Sequence, residues 1–195
     1  MGELLSYDNS MIAASLFLVL GSMRGPVIVW REDWGAKDVL PFAVEHKIDR
    51  ITLHHTGVIS NPKRSLEDKL RGLQTFSQRE DKLANGKTKP AWPDIPYHYY
   101  ISIDGRIGEG RPYKYKGDTN TEYDPTGHLL IVVEGEFGQE KPTEAEMVSL
   151  EKMLRWTMYR FKVDKSEIKT HRDFAETNCP GKNFTEPLAA VLDRL

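Results

Sequence analysis

The sequence has only one cysteine, almost no excess charge and no long apolar segment. Because Cys179 is the single cysteine among 195 residues, an internal disulfide is excluded. The formal net charge of -2 at pH 7 lacks the basic excess that is typical of nucleic-acid-binding proteins. Hydrophobic residues make up 39% and charged residues 29% of the chain, a balance that is typical of folded globular domains.

The longest apolar run, Met11 to Leu20, is too short for a membrane-spanning helix, which requires about 20 residues. The run resembles the apolar region of a secretory signal peptide. The residues before it include Glu3 and Asp8 and no basic residue, so the basic region of a signal peptide is missing unless the chain starts at Met11. We treat residues 1–26 as an extension and expect a periplasmic or secreted protein. The alternative is a packed N-terminal helix in a cytoplasmic protein.

Residues 27–195 alternate short β-rich segments with amphipathic ones. Apolar and alternating patterns predict strands at Val27–Trp30, Arg50–His54, Tyr97–Ile103, Arg106–Glu109, Leu129–Glu134 and Ile168–Thr170. Capping residues and apolar stripes predict helices that begin at Ser65, Thr143 and Leu188. The polar, proline-containing segment 79–96 predicts a long irregular loop. These patterns predict a single α/β domain with a mixed central β-sheet flanked by helices.

Three residues with metal-binding side chains follow predicted strands. His54 ends one strand, His171 follows another, and Cys179 comes eight positions later. Two imidazoles and one thiolate would leave the fourth position of a tetrahedral zinc ion open, which is typical of catalytic zinc sites. Pro180 and Gly181 favour a tight turn that brings Cys179 back toward His171. The residues alone leave open the alternative that Cys179 is an ordinary buried cysteine.

Five segments carry more specific motifs: Arg31–Ala36, Ile51–Thr56, Asp94–Ile101, Asp104–Arg111 and His171–Gly181. In content and order they resemble the type-2 N-acetylmuramoyl-L-alanine amidases, a family that includes phage lysozyme-type amidases and animal peptidoglycan recognition proteins. The resemblance extends over residues 28–192. It implies the peptidoglycan-recognition/amidase type of fold for residues 27–195.

The resemblance also implies roles for individual residues. His54, His171 and Cys179 match the zinc ligands, and Tyr97 matches a tyrosine whose hydroxyl assists at the metal. Thr177 occupies a position that is lysine in phage relatives and threonine in many recognition proteins, and it is a candidate for proton transfer together with Tyr97. Members that bind without cleaving often lack the cysteine, so Cys179 favours an enzyme.

The implied activity is zinc-dependent hydrolysis of the amide between N-acetylmuramic acid and L-alanine, in peptidoglycan or in muropeptides. The alternatives are a peptidoglycan-binding module without activity and a domain with structural zinc. We expect no nucleic-acid partner and no stable membrane span. The sequence departs from the family at Pro96, where glycine is usual, and in the long segment 79–93.

Four other polar residues have less specific interpretations. His55 and His98 alternate away from His54 and Tyr97, which predicts packed side chains. For His128 we expect a surface position. Glu134 ends an apolar strand and either orients a metal ligand or lies in solvent.

Overall fold

The computed structural model of the chain describes residues 25–83 and 86–195. The apolar run Met11–Leu20, interpreted above as a candidate signal peptide, lies outside the described residues. Within the described part of the chain, the helices are too short or too polar to cross a lipid bilayer.

The described chain forms a mixed β-sheet, a separate hairpin and four α-helices. The strands are β1 (Ile28–Val29), β2 (Arg50–His55), β3 (Asp81–Lys82), β4 (Thr88–Lys89), β5 (Tyr99–Ile101), β6 (Ile107–Glu109), β7 (His128–Val133) and β8 (Ile168–Thr170). The helices are α1 (Arg31–Trp34), α2 (Leu66–Ser77), α3 (Glu144–Phe161) and α4 (Thr185–Arg194). Short 3-10 turns cover Lys165–Glu167, His171–Asp173 and Lys182–Phe184.

The large sheet has the strand order β1-β6-β5-β7-β2-β8. Strand β2 runs parallel to both β7 and β8, and β5 runs parallel to β7. Strands β5 and β6 are antiparallel, so the sheet is mixed, as predicted. The carboxyl ends of β2, β7 and β8 therefore meet at one edge, which is where parallel sheets usually bind ligands.

Each face of the sheet is covered by helices, which makes two apolar cores. On one face, Leu150 and Leu154 of α3 are fully buried together with apolar residues of β2 and β7. On the other face, Leu66 and Leu70 of α2 pack with Trp34 of α1. Burying each leucine contributes about 1.5–3 kcal/mol, so these stripes fix both helices against the sheet.

Two helices begin at the residues that the capping patterns predict. The Ser65 hydroxyl accepts a hydrogen bond from the Asp68 amide at 3.1 Å. Thr143 and Glu146 form a reciprocal capping box at the start of α3. These bonds satisfy amides that the first helical turn would otherwise leave unpaired. The last helix begins at Thr185, earlier than the predicted Leu188, because the apolar pattern does not include its first turn.

Glu146 provides a testable pH dependence of stability. Its side chain is 1% exposed, and its Oε1 atom has no hydrogen-bond partner within the described residues. Burial raises the pKa of this carboxyl to about 7, and the Glu134 and Glu140 carboxylates add to the effect. In the unfolded chain the group titrates near 4.5. The folded state therefore holds a proton that the unfolded state has released, and stability falls as the pH rises from about 4.5 through 7.

We expect Glu146→Gln to remove this loss, because glutamine stays neutral and keeps the cap. The variant should match the parent protein at pH 4 and exceed it by about 1–3 kcal/mol in free energy of unfolding at pH 8. Urea unfolding at both pH values measures this. Glu144→Gln, at an exposed position of the same turn, is the control. An equal pH dependence in Glu146→Gln and the parent would contradict the assignment.

The segment 79–96 is more regular than predicted. Strands β3 and β4 pair antiparallel within it, with Asp81 opposite Lys89 and Lys82 opposite Thr88. Two-residue strands of polar residues have no apolar alternation, so sequence patterns do not reveal them.

A buried lysine fastens this hairpin to the end of α2. The Lys89 ammonium, 1% exposed, donates to the carbonyl oxygens of Ser77, Arg79 and Pro90 at 2.7–3.0 Å. It also lies 4.5 Å from the ring centroid of Trp92. A cation at the carboxyl end of a helix is stabilised by the unpaired carbonyls there. These contacts therefore hold the β3–β4 hairpin against the carboxyl end of α2.

Candidate metal centre

The carboxyl edge of the sheet brings two histidines together. His54 is the next-to-last residue of β2, and His171 directly follows β8, the neighbouring parallel strand. The residue pair His54 and Val132 is in register across β2 and β7, so His54 lies on the face of the sheet that α2 covers. This placement follows from strand alternation, because His54 and His55 must point to opposite faces.

The three predicted ligands form one buried cluster. One ligand atom each from His54, His171 and Cys179 can be chosen so that all three lie within 4.8 Å of one another. Cys179 Sγ lies 3.8 Å from His54 Nδ1, and the ring centroids of His54 and His171 are 4.6 Å apart. The structure therefore places the predicted ligand side chains close enough together to bind one ion.

The loop that carries Cys179 is held by backbone hydrogen bonds. The Cys179 amide donates to Thr177 Oγ1 at 3.2 Å, and the His55 amide donates to Cys179 Sγ at 3.4 Å. Arg172 donates to the carbonyl oxygens of Asn178 and Cys179 at 3.0 and 3.4 Å. Cys179 is thus turned back toward His171, as the Pro180–Gly181 turn predicts.

The protonation states of the cluster suit a cation. Burial lowers the pKa of His54 well below its usual range and that of His171 to about 4, so both rings are neutral at pH 7 and offer lone pairs. Burial raises the pKa of the Cys179 thiol to about 12. A thiolate at this position therefore requires a positive partner, and metal binding would release the thiol proton.

The donor set fits zinc. Zinc binds sulfur at about 2.3 Å and imidazole nitrogen at about 2.0–2.1 Å, so a sulfur and a nitrogen on a tetrahedral ion lie about 3.6 Å apart. The 3.8 Å between Cys179 Sγ and His54 Nδ1 is close to this value. Two neutral imidazoles and one thiolate leave a fourth position for water or substrate.

The cluster lies in a cleft of about 720 Å³. The sheet edge contributes His54, Glu134 and His171, and α2 contributes Lys69, Leu73 and Phe76. The predicted catalytic residues Tyr97 and Thr177 both line this cleft. Tyr97 and Thr177 therefore share this cleft with the metal cluster.

The predicted strand begins later than expected, so Tyr97 lies two residues before β5 and outside it. The ring centroid of Tyr97 is 5.3 Å from that of His54. Burial raises the pKa of its phenol. The hydroxyl therefore keeps its proton at all physiological pH values and is available as a neutral donor. Thr177 accepts the Cys179 amide, so its oxygen also shapes the turn that carries the cysteine.

One rim of the cleft is an apolar loop held in place by two carboxylates. Val58 and Ile59 are 67% and 52% exposed at its tip. Glu140 Oε1 accepts from the Ser60 amide and hydroxyl at 3.0 and 2.9 Å, and Glu134 Oε1 accepts from the Asn61 amide at 3.0 Å. The rim is therefore ordered by hydrogen bonds although its apolar side chains face solvent.

Glu134 takes neither of the two roles considered for it. Its Oε2 atom pairs with Lys69 Nζ at 2.8 Å and accepts from Ser102 Oγ at 3.0 Å, and both charged side chains are buried. Lys69 is on α2, so this ion pair joins the helix to the end of β7. Burying either charge without its partner would cost several kcal/mol, which couples the two sides of the cleft floor.

Among the described residues, His55, His98 and His128 are not part of the metal-binding group. The ring of His55 accepts from the Phe137 amide at 3.3 Å, and that of His98 accepts from the Leu130 amide at 2.8 Å. The surface position expected for His128 is wrong: it is 4% exposed and its Nδ1 lies 2.8 Å from Thr52 Oγ1 on the paired strand. A partner 76 residues away in sequence leaves no local pattern that would reveal this burial.

Two residues contact ring nitrogens of the predicted histidine ligands, and the sequence patterns do not reveal either of them. Thr121 Oγ1 lies 2.7 Å from His171 Nε2, and Tyr123 Oη lies 3.4 Å from His54 Nε2. Both come from an irregular polar segment before β7, where no periodicity or motif distinguishes them.

Comparison with known proteins identifies the family of this chain. A family model described as N-acetylmuramoyl-L-alanine amidase matches residues 44–182, well over half of the chain. The chain belongs to the N-acetylmuramoyl-L-alanine amidase family. The matched residues include His54, His171 and Cys179, so the whole cluster lies within the segment that the family model covers.

This amidase-family chain is similar to both recognition proteins and amidases. Peptidoglycan recognition protein 1 of Mus musculus is 27% identical over 176 residues, which is 88% of this chain and 91% of the mouse protein. The solved structure of N-acetylmuramoyl-L-alanine amidase LysC from Clostridium intestinale URNW is 27% identical, with a TM-score of 0.65, 85% of this chain covered and 97% of LysC.

A third structure shows the shared fold at lower identity. It is a mutant of the Drosophila recognition protein PGRP-LB in complex with tracheal cytotoxin. Its identity to this chain is 23% and its TM-score is 0.64, with 80% of this chain and 89% of that chain covered. The mixed sheet with flanking helices is therefore the peptidoglycan-recognition/amidase fold.

Proposed function

We propose that the protein is a zinc-dependent N-acetylmuramoyl-L-alanine amidase, which hydrolyses the amide between N-acetylmuramic acid and L-alanine. The observation that carries this proposal is the buried cluster of His54, His171 and Cys179 at the floor of an open cleft. Three protein ligands with space beside them are typical of catalytic zinc, whereas structural zinc is usually closed by a fourth ligand.

Zinc, when bound, supplies a Lewis acid that polarises the amide carbonyl and makes water acidic enough to react near neutral pH. Tyr97 then has a defined task. Its neutral hydroxyl donates a hydrogen bond to the carbonyl oxygen, where negative charge develops as water adds to the carbon. Because the Tyr97 hydroxyl is not ionised, it has a hydrogen to donate to this oxygen and adds no negative charge beside it.

Hydrolysis also moves protons. The bond from the carbonyl carbon to the alanine nitrogen breaks, so the attacking water must lose a proton and the leaving amine must gain one. Thr177 lies in the cleft beside Cys179, and we assign it to this relay together with Tyr97. The products are the lactyl carboxylate of the sugar and a stem peptide with a free amino terminus.

The cleft fits a substrate with both polar and apolar parts. Tyr100, Trp92 and Phe76 supply aromatic surface along one side, and Asn120 and Asp118 supply polar groups. We propose peptidoglycan or its muropeptide fragments as the substrate, encountered outside the cytoplasm if residues 1–26 act as a signal peptide. The complex of a Drosophila relative with tracheal cytotoxin supports this ligand class.

Removal of zinc is expected to stop hydrolysis. Purified full-length protein should release free stem peptide from muropeptides, detected by mass spectrometry. A chelator should reduce this release to background, and added zinc should restore it, because the three ligands do not suffice without the ion. Chelator saturated with zinc beforehand is the control. Release that persists in metal-free protein would contradict the zinc mechanism.

A peptidoglycan-binding module without activity is the second candidate, supported by the similarity to peptidoglycan recognition protein 1. The same assay separates the two. Zinc-loaded protein that binds tracheal cytotoxin or muropeptides by calorimetry but releases no stem peptide would favour the binding module.

A further inference from the structure

A single segment before β7 contacts the Nε2 atoms of both imidazoles in the metal cluster. Thr121 Oγ1 lies 2.7 Å from Nε2 of His171, and Tyr123 Oη lies 3.4 Å from Nε2 of His54. The other nitrogen of His54, Nδ1, faces Cys179 Sγ at 3.8 Å. In His54, Tyr123 therefore contacts the ring nitrogen opposite the one that faces Cys179. In His171, the contact with Thr121 engages Nε2, which leaves Nδ1 as the nitrogen free to bind an ion.

We propose that Thr121 and Tyr123 are positioning residues for the metal centre. Their oxygens accept the Nε2 protons of His171 and His54, which keeps both rings in the tautomer whose Nδ1 lone pair is free for zinc. Metal-binding histidines usually donate the N–H of their second ring nitrogen to an oxygen acceptor, which fixes the tautomer and the orientation of the ring. The inference rests on the proposed zinc site and is independent of whether the protein hydrolyses its ligand.

The neighbouring hydrogen bonds allow the Thr121 hydroxyl to act as the acceptor of the His171 contact. Thr119 Oγ1 lies 2.7 Å from Thr121 Oγ1 and also accepts from the Thr121 amide at 3.1 Å. The Thr121 hydroxyl can therefore donate its own hydrogen to Thr119. Its lone pairs are then left to accept from His171, which makes a chain of hydrogen bonds with one consistent direction.

Ring packing fixes the position of Tyr123. Its ring centroid lies 5.4 Å from that of His171 and 5.6 Å from that of Phe174, with which it stacks. Since the 3.4 Å contact with His54 is at the long limit for a hydrogen bond, we expect Thr121 to contribute more than Tyr123.

Zinc affinity tests this inference without any need for hydrolysis. The full-length protein is titrated with zinc in competition with a chromogenic chelator. Thr121→Val keeps the shape of the side chain and removes the hydroxyl, so we expect the dissociation constant for zinc to rise by about 10- to 100-fold. Thr121→Ser keeps the hydroxyl and should stay close to the parent. Tyr123→Phe should show a smaller rise.

Two controls separate positioning from general loss of structure. Thr75→Val makes the same change at an exposed position of α2 and should leave zinc affinity unchanged. Thr121→Ala removes the same hydroxyl with a smaller side chain and should weaken binding in the same direction as Thr121→Val. The melting temperature of each zinc-free variant is measured alongside.

Equal zinc affinities in the parent, Thr121→Val and Thr121→Ala would overturn the inference and leave the zinc site intact. An equal loss in Thr121→Ser and Thr121→Val would also overturn it, because the hydroxyl would then not be the cause. If the parent protein itself binds no zinc, the proposed metal centre fails, and this inference fails with it.

Discussion

Replacing Cys179 by alanine is expected to remove bound zinc and to reduce amide hydrolysis by a factor on the order of 1,000 or more. Lewis-acid stabilisation by a metal contributes several kcal/mol, and each ~1.36 kcal/mol corresponds to a factor of ten in rate. The loss should be steep because, within the part of the chain that the structure describes, Cys179 is the one His, Cys, Asp or Glu side chain grouped with the two imidazoles. Zinc content by elemental analysis and stem-peptide release by mass spectrometry measure the two effects.

His54→Ala and His171→Ala should behave in the same way as Cys179→Ala. His46→Gln removes an imidazole whose contacts are with Tyr113 and Gly127, outside the cluster, and serves as the control. A Cys179→Ala protein with zinc content equal to that of the parent would show that the ligand set is wrong.

The second large effect is expected for Tyr97→Phe. Removing one donor to the developing oxyanion typically lowers kcat by about 100- to 1,000-fold. Because Tyr97 is not among the metal-binding residues, zinc content should stay unchanged, and the Michaelis constant should change little if the contact forms mainly in the transition state. Steady-state kinetics on a defined muropeptide, together with metal analysis, test the two parts separately.

Tyr100→Phe is the matched control, since Tyr100 is a second tyrosine that lines the same cleft and lies on β5. Its kcat should remain close to that of the parent protein. Full turnover in Tyr97→Phe would exclude the proposed role of that hydroxyl.

The ligand cluster could be predicted because two of its members follow directly from strand patterns. His54 lies in an alternating apolar strand, and His171 comes directly after another, so both reach the same sheet edge once the strands are parallel. Cys179 required the turn signal of Pro180 and Gly181 and the family resemblance. Similarly, the capping residues Ser65 and Thr143 predict the starts of their helices, because capping is a local interaction.

The features that sequence reasoning missed depend on contacts between distant parts of the chain. The ion pair of Lys69 and Glu134 joins residues 65 positions apart, and Thr121 reaches His171 across 50 positions. Polar residues in irregular segments have no periodicity, so their partners become visible only when the strands are assembled. His128 was expected at the surface for the same reason, since Thr52, its partner, lies on another strand.

The carboxylate-anchored rim around Val58 and Ile59 affects the entropy that is lost when a ligand binds there. The hydrogen bonds from the backbone amides of Ser60 and Asn61 to Glu140 and Glu134 hold the loop in one conformation before any ligand binds. A ligand that covers Val58 and Ile59 would remove apolar surface from water, while the loop would lose little further conformational entropy. Most of the conformational entropy lost on binding would then be lost by the ligand. A more rigid ligand should therefore dissociate more slowly.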